Sequence, residues 1–175
     1  MLTYADVCGQ MLENWCWQEE PLRRMSGLYS EEAQPLPDAL LNSMIAAKNV
    51  NSALMTLRQC FFGKYDMSVH SGNVSQGTAA LWAEMRESVT LIANSSGGNG
   101  AASFGHIMGG YDAGYYGYLW SEVFSADMFS IFKNSGDLFS AEVLAPQYLY
   151  FCTSKASKVS FGSWCRSGRD TASAS

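Results

Sequence analysis

Residues 104–132 read FGHIMGGYDAGYYGYLWSEVFSADMFSIF, and the fold turns on how this stretch is read. Gly109 and Gly110 can take backbone angles that other residues resist. Asp112 is a residue type favoured in a first helical turn. The stretch therefore predicts a helix from Asp112 to about Phe132. With 3.6 residues per turn, Tyr111, Tyr115 and Tyr118 fall at i, i+4 and i+7 on one face. Tyr116 points elsewhere, and Gly114 and Gly117 leave room for a neighbouring element. His106 sits just upstream, in the glycine-rich segment. Three phenols on one stripe are costly to bury as filling, because each hydroxyl needs a partner. Two readings stand: the tyrosines face a cleft and donate hydrogen bonds to a substrate, or they edge the core with their hydroxyls in water. His106 is open to the same pair of readings, structural or catalytic.

The surrounding sequence is also helical in pattern. From Gly9 to Met25, Met11, Leu12, Trp15, Cys16 and Leu22 recur at helical spacing, with Pro21 as the expected kink. Residues 30–37 hold two prolines and read as a loop. A long helical pattern opens at Pro37–Asp38 and runs to about Cys60, with weak helix formers and an expected break at 49–52. Phe61 to Val69 fits either a helix or an extended segment, and His70 to Gly77 reads as a loop. Thr78 to about Ala93 predicts a helix with Leu81, Met85, Val89 and Ile92 on one stripe. Residues 94–102, NSSGGNGAA, form a Gly/Ser/Asn-rich loop expected to be mobile. Beyond Leu144 the chain is rich in Ser, Lys and Arg without a clear period. A partial helical domain over 1–143 and a divergent, poorly ordered tail over 144–175 are expected. The fold class is all-α, with few or no strands.

Composition narrows the function classes. Charged residues make up only 15% of the 175 against 47% hydrophobic, a balance that suits a buried part of a larger protein. The formal net charge of −5, with no Lys/Arg cluster, argues against nucleic-acid binding. No apolar run approaches the ~20 residues of a membrane span, and the N-terminus MLTYADVCGQ lacks the pattern of a signal peptide. The five cysteines, Cys8, Cys16, Cys60, Cys152 and Cys165, include no CxxC pair. Reduced thiols in a cytoplasmic protein are the favoured reading over a disulfide framework.

The stretch quoted above closely resembles the tyrosine-rich segment of the thimet oligopeptidase and neurolysin family of zinc metallopeptidases. The matching residues are FGH at 104–106, GGYDA at 109–113, YYGYLWSEV at 115–123 and DMF at 127–129. QMLENW at 10–15, with Glu20-Pro21-Leu22 and Arg24-Met25-Ser26, is a second match. Leu57-Arg58-Gln59 with Lys64 to His70 is a third. Together they cover roughly Gln10 to Val143, in family order. The resemblance implies a partial helical catalytic domain of a zincin-type oligopeptidase that hydrolyses short peptides. It implies that His106, Tyr111, Tyr115 and Tyr118 contact substrate opposite the metal. Tyr115 and Tyr118 become the candidates to stabilise the tetrahedral oxyanion, with His106 beside them. It also implies that the glycine-rich segment moves as peptide enters, and it allows mitochondria as well as cytoplasm for a full-length form.

That chemistry needs zinc and an HExxH helix, in which two histidines one turn apart bind the metal and the glutamate activates water. Only His70 and His106 occur, neither is followed by Glu, and HExxH is absent. In the family the motif lies upstream of the QMLENW match. Asp6 stands at the place of the family's third ligand, a glutamate, and is one methylene shorter. It reads either as a metal ligand or as a solvated or capping residue. Glu13, seven residues on, falls on about the same helical face, as an outer partner of the metal site or an ordinary ion-pair partner. The resemblance thus implies zinc for the family but none for this chain alone, and an inactive chain. A non-catalytic peptide-binding or interaction module is the alternative, and metal content separates the two. Loss of resemblance at both ends points to a truncated gene model, an alternative transcript or a frameshift.

Overall fold

A computed structural model describes residues 4–27, 35–72, 74–94 and 98–145. Among these the regular elements are all helical: α1 (Tyr4–Glu13), α2 (Glu19–Met25), α3 (Asp38–Ala47), α4 (Ser52–His70), α5 (Thr78–Thr90) and α6 (Gly117–Ser135). Short 3₁₀ turns cover Asn14–Trp17, Gly100–Ser103 and Gly105–Met108. The all-α expectation holds, and Phe61 to Val69 resolves as helix, within α4. The expected tail falls almost wholly outside the described residues, as does the centre of the 94–102 loop.

The chain divides into two compact units, 1–129 and 130–175. In the first, α4 and α5 pack on each other and carry an aromatic core. Phe61, Tyr65, Trp82, Phe104, Ile107 and Tyr115 are its buried members, with Phe62, Leu81, Met85 and Val89 packed against it. The Trp82 ring meets Phe61 edge-on at 4.7 Å and Tyr65 at 4.9 Å, and Phe62 stacks on Phe104 at 4.6 Å. Such pairs add about 0.5–1.5 kcal/mol each beyond the area they bury. In the second unit α6 ends at Gly136, whose φ of +74° only glycine takes without cost. Ser140 then opens a short helical turn, its Oγ accepting from Val143 N at 3.4 Å.

Two differences from the sequence reading bear on the site. The first helical stretch breaks at residues 14–18, not at Pro21. Asn14 Nδ2 turns back to donate to the Gln10 and Met11 carbonyls, both at 3.1 Å, and to Ser125 Oγ at 3.0 Å. This closes the end of α1. Pro21 is the third residue of α2, where its missing N–H has no intrahelical partner to lose. The second difference matters more. α6 starts at Gly117, not at Asp112, and residues 111–116 form turns. Gly110 sits at φ +95° and Ala113 at φ +53°, left-handed values that interrupt a helix.

Candidate functional site

The turn before α6 is held by one carboxylate. Asp66, on α4, is fully buried. Its Oδ1 accepts the N–H of Ala113 at 3.0 Å and its Oδ2 the N–H of Tyr115 at 2.9 Å. His70, one turn further along α4, places Nδ1 2.9 Å from Oδ1. A buried carboxylate that accepts backbone N–H groups satisfies them with charge-assisted bonds. The left-handed Ala113 is therefore pinned, and the backbone is delivered to Gly117 in register for α6. Gly63, on the same helix, lets the turn approach: a Cβ there would lie 3.4 Å from Tyr116 Cα.

This arrangement brings the tyrosines together by a route other than a helical stripe. Tyr111 and Tyr115 lie in the turn, and Tyr118 is in the first turn of α6. Their rings still cluster: Tyr111 stacks on Tyr118 at 5.3 Å and Tyr115 meets Tyr118 at 5.0 Å. His106, from the preceding 3₁₀ turn, lies 5.9, 5.8 and 6.3 Å from Tyr111, Tyr115 and Tyr118. His106, Tyr115 and Tyr118 line a cleft of about 370 Å³ with Gln10, Met55, Thr56, Gln59, Leu119 and Glu122.

The hydroxyls differ in their commitments. Tyr115 is buried and donates to Gln59 Oε1 at 3.0 Å. Burial pushes its phenol up, while the Gln59 hydrogen bond and the Arg58 charge pull it down. Tyr118 is partly exposed. Burial raises its pKa most, followed by the hydrogen bond it shares with Tyr111 and electrostatic coupling to Tyr111, Asp6 and Tyr115. Both phenols thus stay protonated, and able to donate, through neutral and mildly alkaline pH. Gln10 orients α1 toward this site by donating from Nε2 to the Tyr118 carbonyl at 3.3 Å, and its buried Oε1 takes no hydrogen bond. Gln10, Gln59 and Asp66 were not singled out by the sequence reading. The available signal was a carboxylate, Asp66, set inside the apolar run FFGKYDMSV.

The charge of Asp6 is among the influences that raise the Tyr118 phenol. α1 runs through both Asp6 and Glu13. The charge of Glu13, second to burial, raises the carboxyl of Glu122. These residues do not fit a zinc centre: among the described residues no group of three His, Cys, Asp or Glu side chains could hold a metal ion. His70 is turned to Asp66 and His106 to the tyrosines.

Comparison with known proteins bears on what the cleft belongs to. Residues 1–148 match the family model described as Peptidase family M3. This chain belongs to that family. The match takes in α1 with Asp6, the tyrosine turn and α6 through its end. A thimet-like oligopeptidase of Dictyostelium discoideum is 43% identical over 136 residues, which are 76% of this chain and 20% of that protein. Saccharolysin of Saccharomyces cerevisiae is 44% identical over 132 residues, 72% of this chain and 18% of that protein. Oligopeptidase A of Escherichia coli is 44% identical over 136 residues, 75% of this chain and 20% of that protein. This M3 chain thus spans about one fifth of the length of the curated relatives it matches. M3 is a metallopeptidase family, and the fold here is a helical part of its domain. No helix among the described residues is long and apolar enough to cross a membrane.

Proposed function

We propose that this chain forms one wall of the peptide-binding cleft of an M3 oligopeptidase. It supplies hydrogen-bond donors to the reacting carbonyl, while the histidine metal ligands and the water-activating carboxylate come from sequence outside these 175 residues. The observation that carries this reading is the clustering of His106, Tyr111, Tyr115 and Tyr118, with His106, Tyr115 and Tyr118 lining one cleft, within the M3 match.

The chemistry follows from where the donors are free. When a peptide carbonyl becomes tetrahedral, its oxygen gains charge, and a phenol placed to donate gains strength with it. Tyr118 is the better-placed donor, because its hydroxyl partner is another phenol, Tyr111, and it faces the cleft. Tyr115 must first release Gln59. His106 borders all three rings and orders their packing. Short peptides are the partners, and Asp6 is the one residue offered toward a metal completed by other ligands. The cytoplasm suits Cys16 and Cys60, which are thiols.

The 175-residue chain alone is expected to hydrolyse no peptide, since a catalytic zinc needs three protein ligands and an open position. Turnover of a short fluorogenic peptide by the purified chain, abolished by chelator and restored by zinc, would contradict this. So would about one tightly held zinc per chain.

A further inference from the structure

A second cavity, of about 460 Å³, opens along α4 beside the first. Its wall includes Met55, Arg58, Phe62, Trp82, Arg86 and Thr90. The volume lies in the range of about 300–1,000 Å³ typical of ligand sites. Its walls are apolar and aromatic, but two arginines enter it. In this acidic chain other arginines hold carboxylates: Arg23 pairs with Glu19 and Asp38, and Arg24 with Glu20. Arg58 and Arg86 have no acidic partner among the described residues. Both are nevertheless held in place. The Arg58 guanidinium lies 5.1 Å over the Phe62 ring, which fixes its plane and leaves its N–H edge open. Arg86 gives one N–H to Asn94 Oδ1 at 3.0 Å and keeps the others.

We propose that this cavity is a carboxylate pocket, in which Arg58 and Arg86 bind a carboxylate carried by an apolar or aromatic residue. Two ordered guanidinium groups without acids are matched by a planar anion that accepts paired N–H bonds. The apolar wall favours an anion attached to a hydrophobic group over a bare ion. The proposal rests on the peptide-cleft reading for its ligand. Met55 lines both this cavity and the tyrosine cleft, and Arg58 and Gln59 are neighbours on α4. A peptide lying past Tyr118 can therefore place its C-terminal carboxylate, or an acidic side chain, on the arginines. The pocket would then select which end, or which residue, of a peptide comes to rest beyond the cleft.

Calorimetric titration of the chain with four ligands tests this. The first is a short peptide ending in Phe with a free C-terminus. The second is the same peptide as its C-terminal amide. The third is that amide with Glu replacing the residue before Phe, and the last is N-acetylphenylalanine. The free acid is expected to bind about tenfold more tightly than the amide. Arg58→Gln and Arg86→Gln should each bring the acid down to the affinity of the amide. Recovery of affinity by the Glu peptide would assign the pocket to side chains as well as C-termini, and no recovery to C-termini alone; both outcomes support it. Equal binding of acid and amide overturns the proposal, as does a preference that survives both substitutions. The wild-type comparison decides the matter even if a variant fails to fold. Tyr118→Phe separates this from the peptide-cleft reading. If that change weakens both peptides while acid and amide bind alike, the pocket falls and the cleft stands. Binding of N-acetylphenylalanine that depends on Arg58, with peptide affinity indifferent to Tyr118, does the reverse. No binding by any ligand overturns both.

Discussion

Asp66 carries more of the site than any tyrosine does. Its two oxygens take the N–H groups of Ala113 and Tyr115 while it is fully buried, so nothing else replaces them when it is changed. Asp66→Asn keeps the shape but turns an NH₂ toward a backbone N–H. The expected loss of stability is about 1.5–3 kcal/mol, the range for a hydrogen bond to a charged group. Asp66→Ala should cost more, because both N–H groups lose their partner. Urea unfolding of the two variants checks this, and a loss below the noise for both would mean that the turn holds itself. A second residue-scale expectation concerns Glu122, whose carboxyl is raised first by burial and then by Glu13. A carboxyl with a raised native pKa binds its proton more tightly folded than unfolded. Stability therefore falls as pH rises from the unfolded value, near 4.5, through the native one. Glu122→Gln should raise the melting temperature at neutral pH, and the gain should vanish in acid below the unfolded value. A gain that persists unchanged at low pH would rule out the charge explanation.

At the scale of elements, the helices were legible in the sequence and several of their boundaries were not. Apolar spacing located α1 from Gly9 onward, α3, α4 as far as Cys60, α5 and the body of α6, and the break at 49–52 appears where Asn51 takes a left-handed φ of +59°. The start of α6 was misplaced by five residues, because Asp66 holds the turn from 47 and 49 residues away in sequence. Local pattern does not carry that information. The tyrosine cluster was anticipated for the wrong reason: its rings meet through a pinned turn, not along a stripe. Trp82, the hub of the aromatic core, lay outside the predicted stripe of α5, and its packing depends on Gly100. A Cβ on Gly100 would fall 2.4 Å from Trp82 Nε1 and 2.5 Å from its Cε2. A buried indole cannot yield as a flexible chain end does. Gly100→Ala is expected to cost about 1–3 kcal/mol by overpacking and to alter the near-ultraviolet circular dichroism of the tryptophan. An unchanged melt and spectrum would mean that the 3₁₀ turn moves freely away from α5.

At the scale of the whole molecule, the described residues gather a tyrosine-lined cleft and include no group of three side chains that could hold a metal ion. Large apolar residues stand exposed on several elements, among them Val50, Met55, Trp120 and Val123 at 66%, 53%, 51% and 59% of their surface. Exposed apolar surface of this extent is typical of a face that contacts other protein. The family was legible from residues 104–129 and 10–26, because those runs are long and unusual in composition. The role of the site was less so, since it depends on which hydroxyls are already bonded. The most direct test joins this chain to the zinc-binding part of an M3 relative and compares steady-state kinetics of the Tyr118→Phe variant with the unmodified fusion. Phe keeps the ring stacked on Tyr111 and removes only the donor. The account predicts a fall in kcat of about 10²–10³, as for loss of one oxyanion donor, with KM and the melting temperature nearly unchanged. An unchanged kcat, or a loss of stability in its place, would contradict it and leave Tyr118 as scaffold.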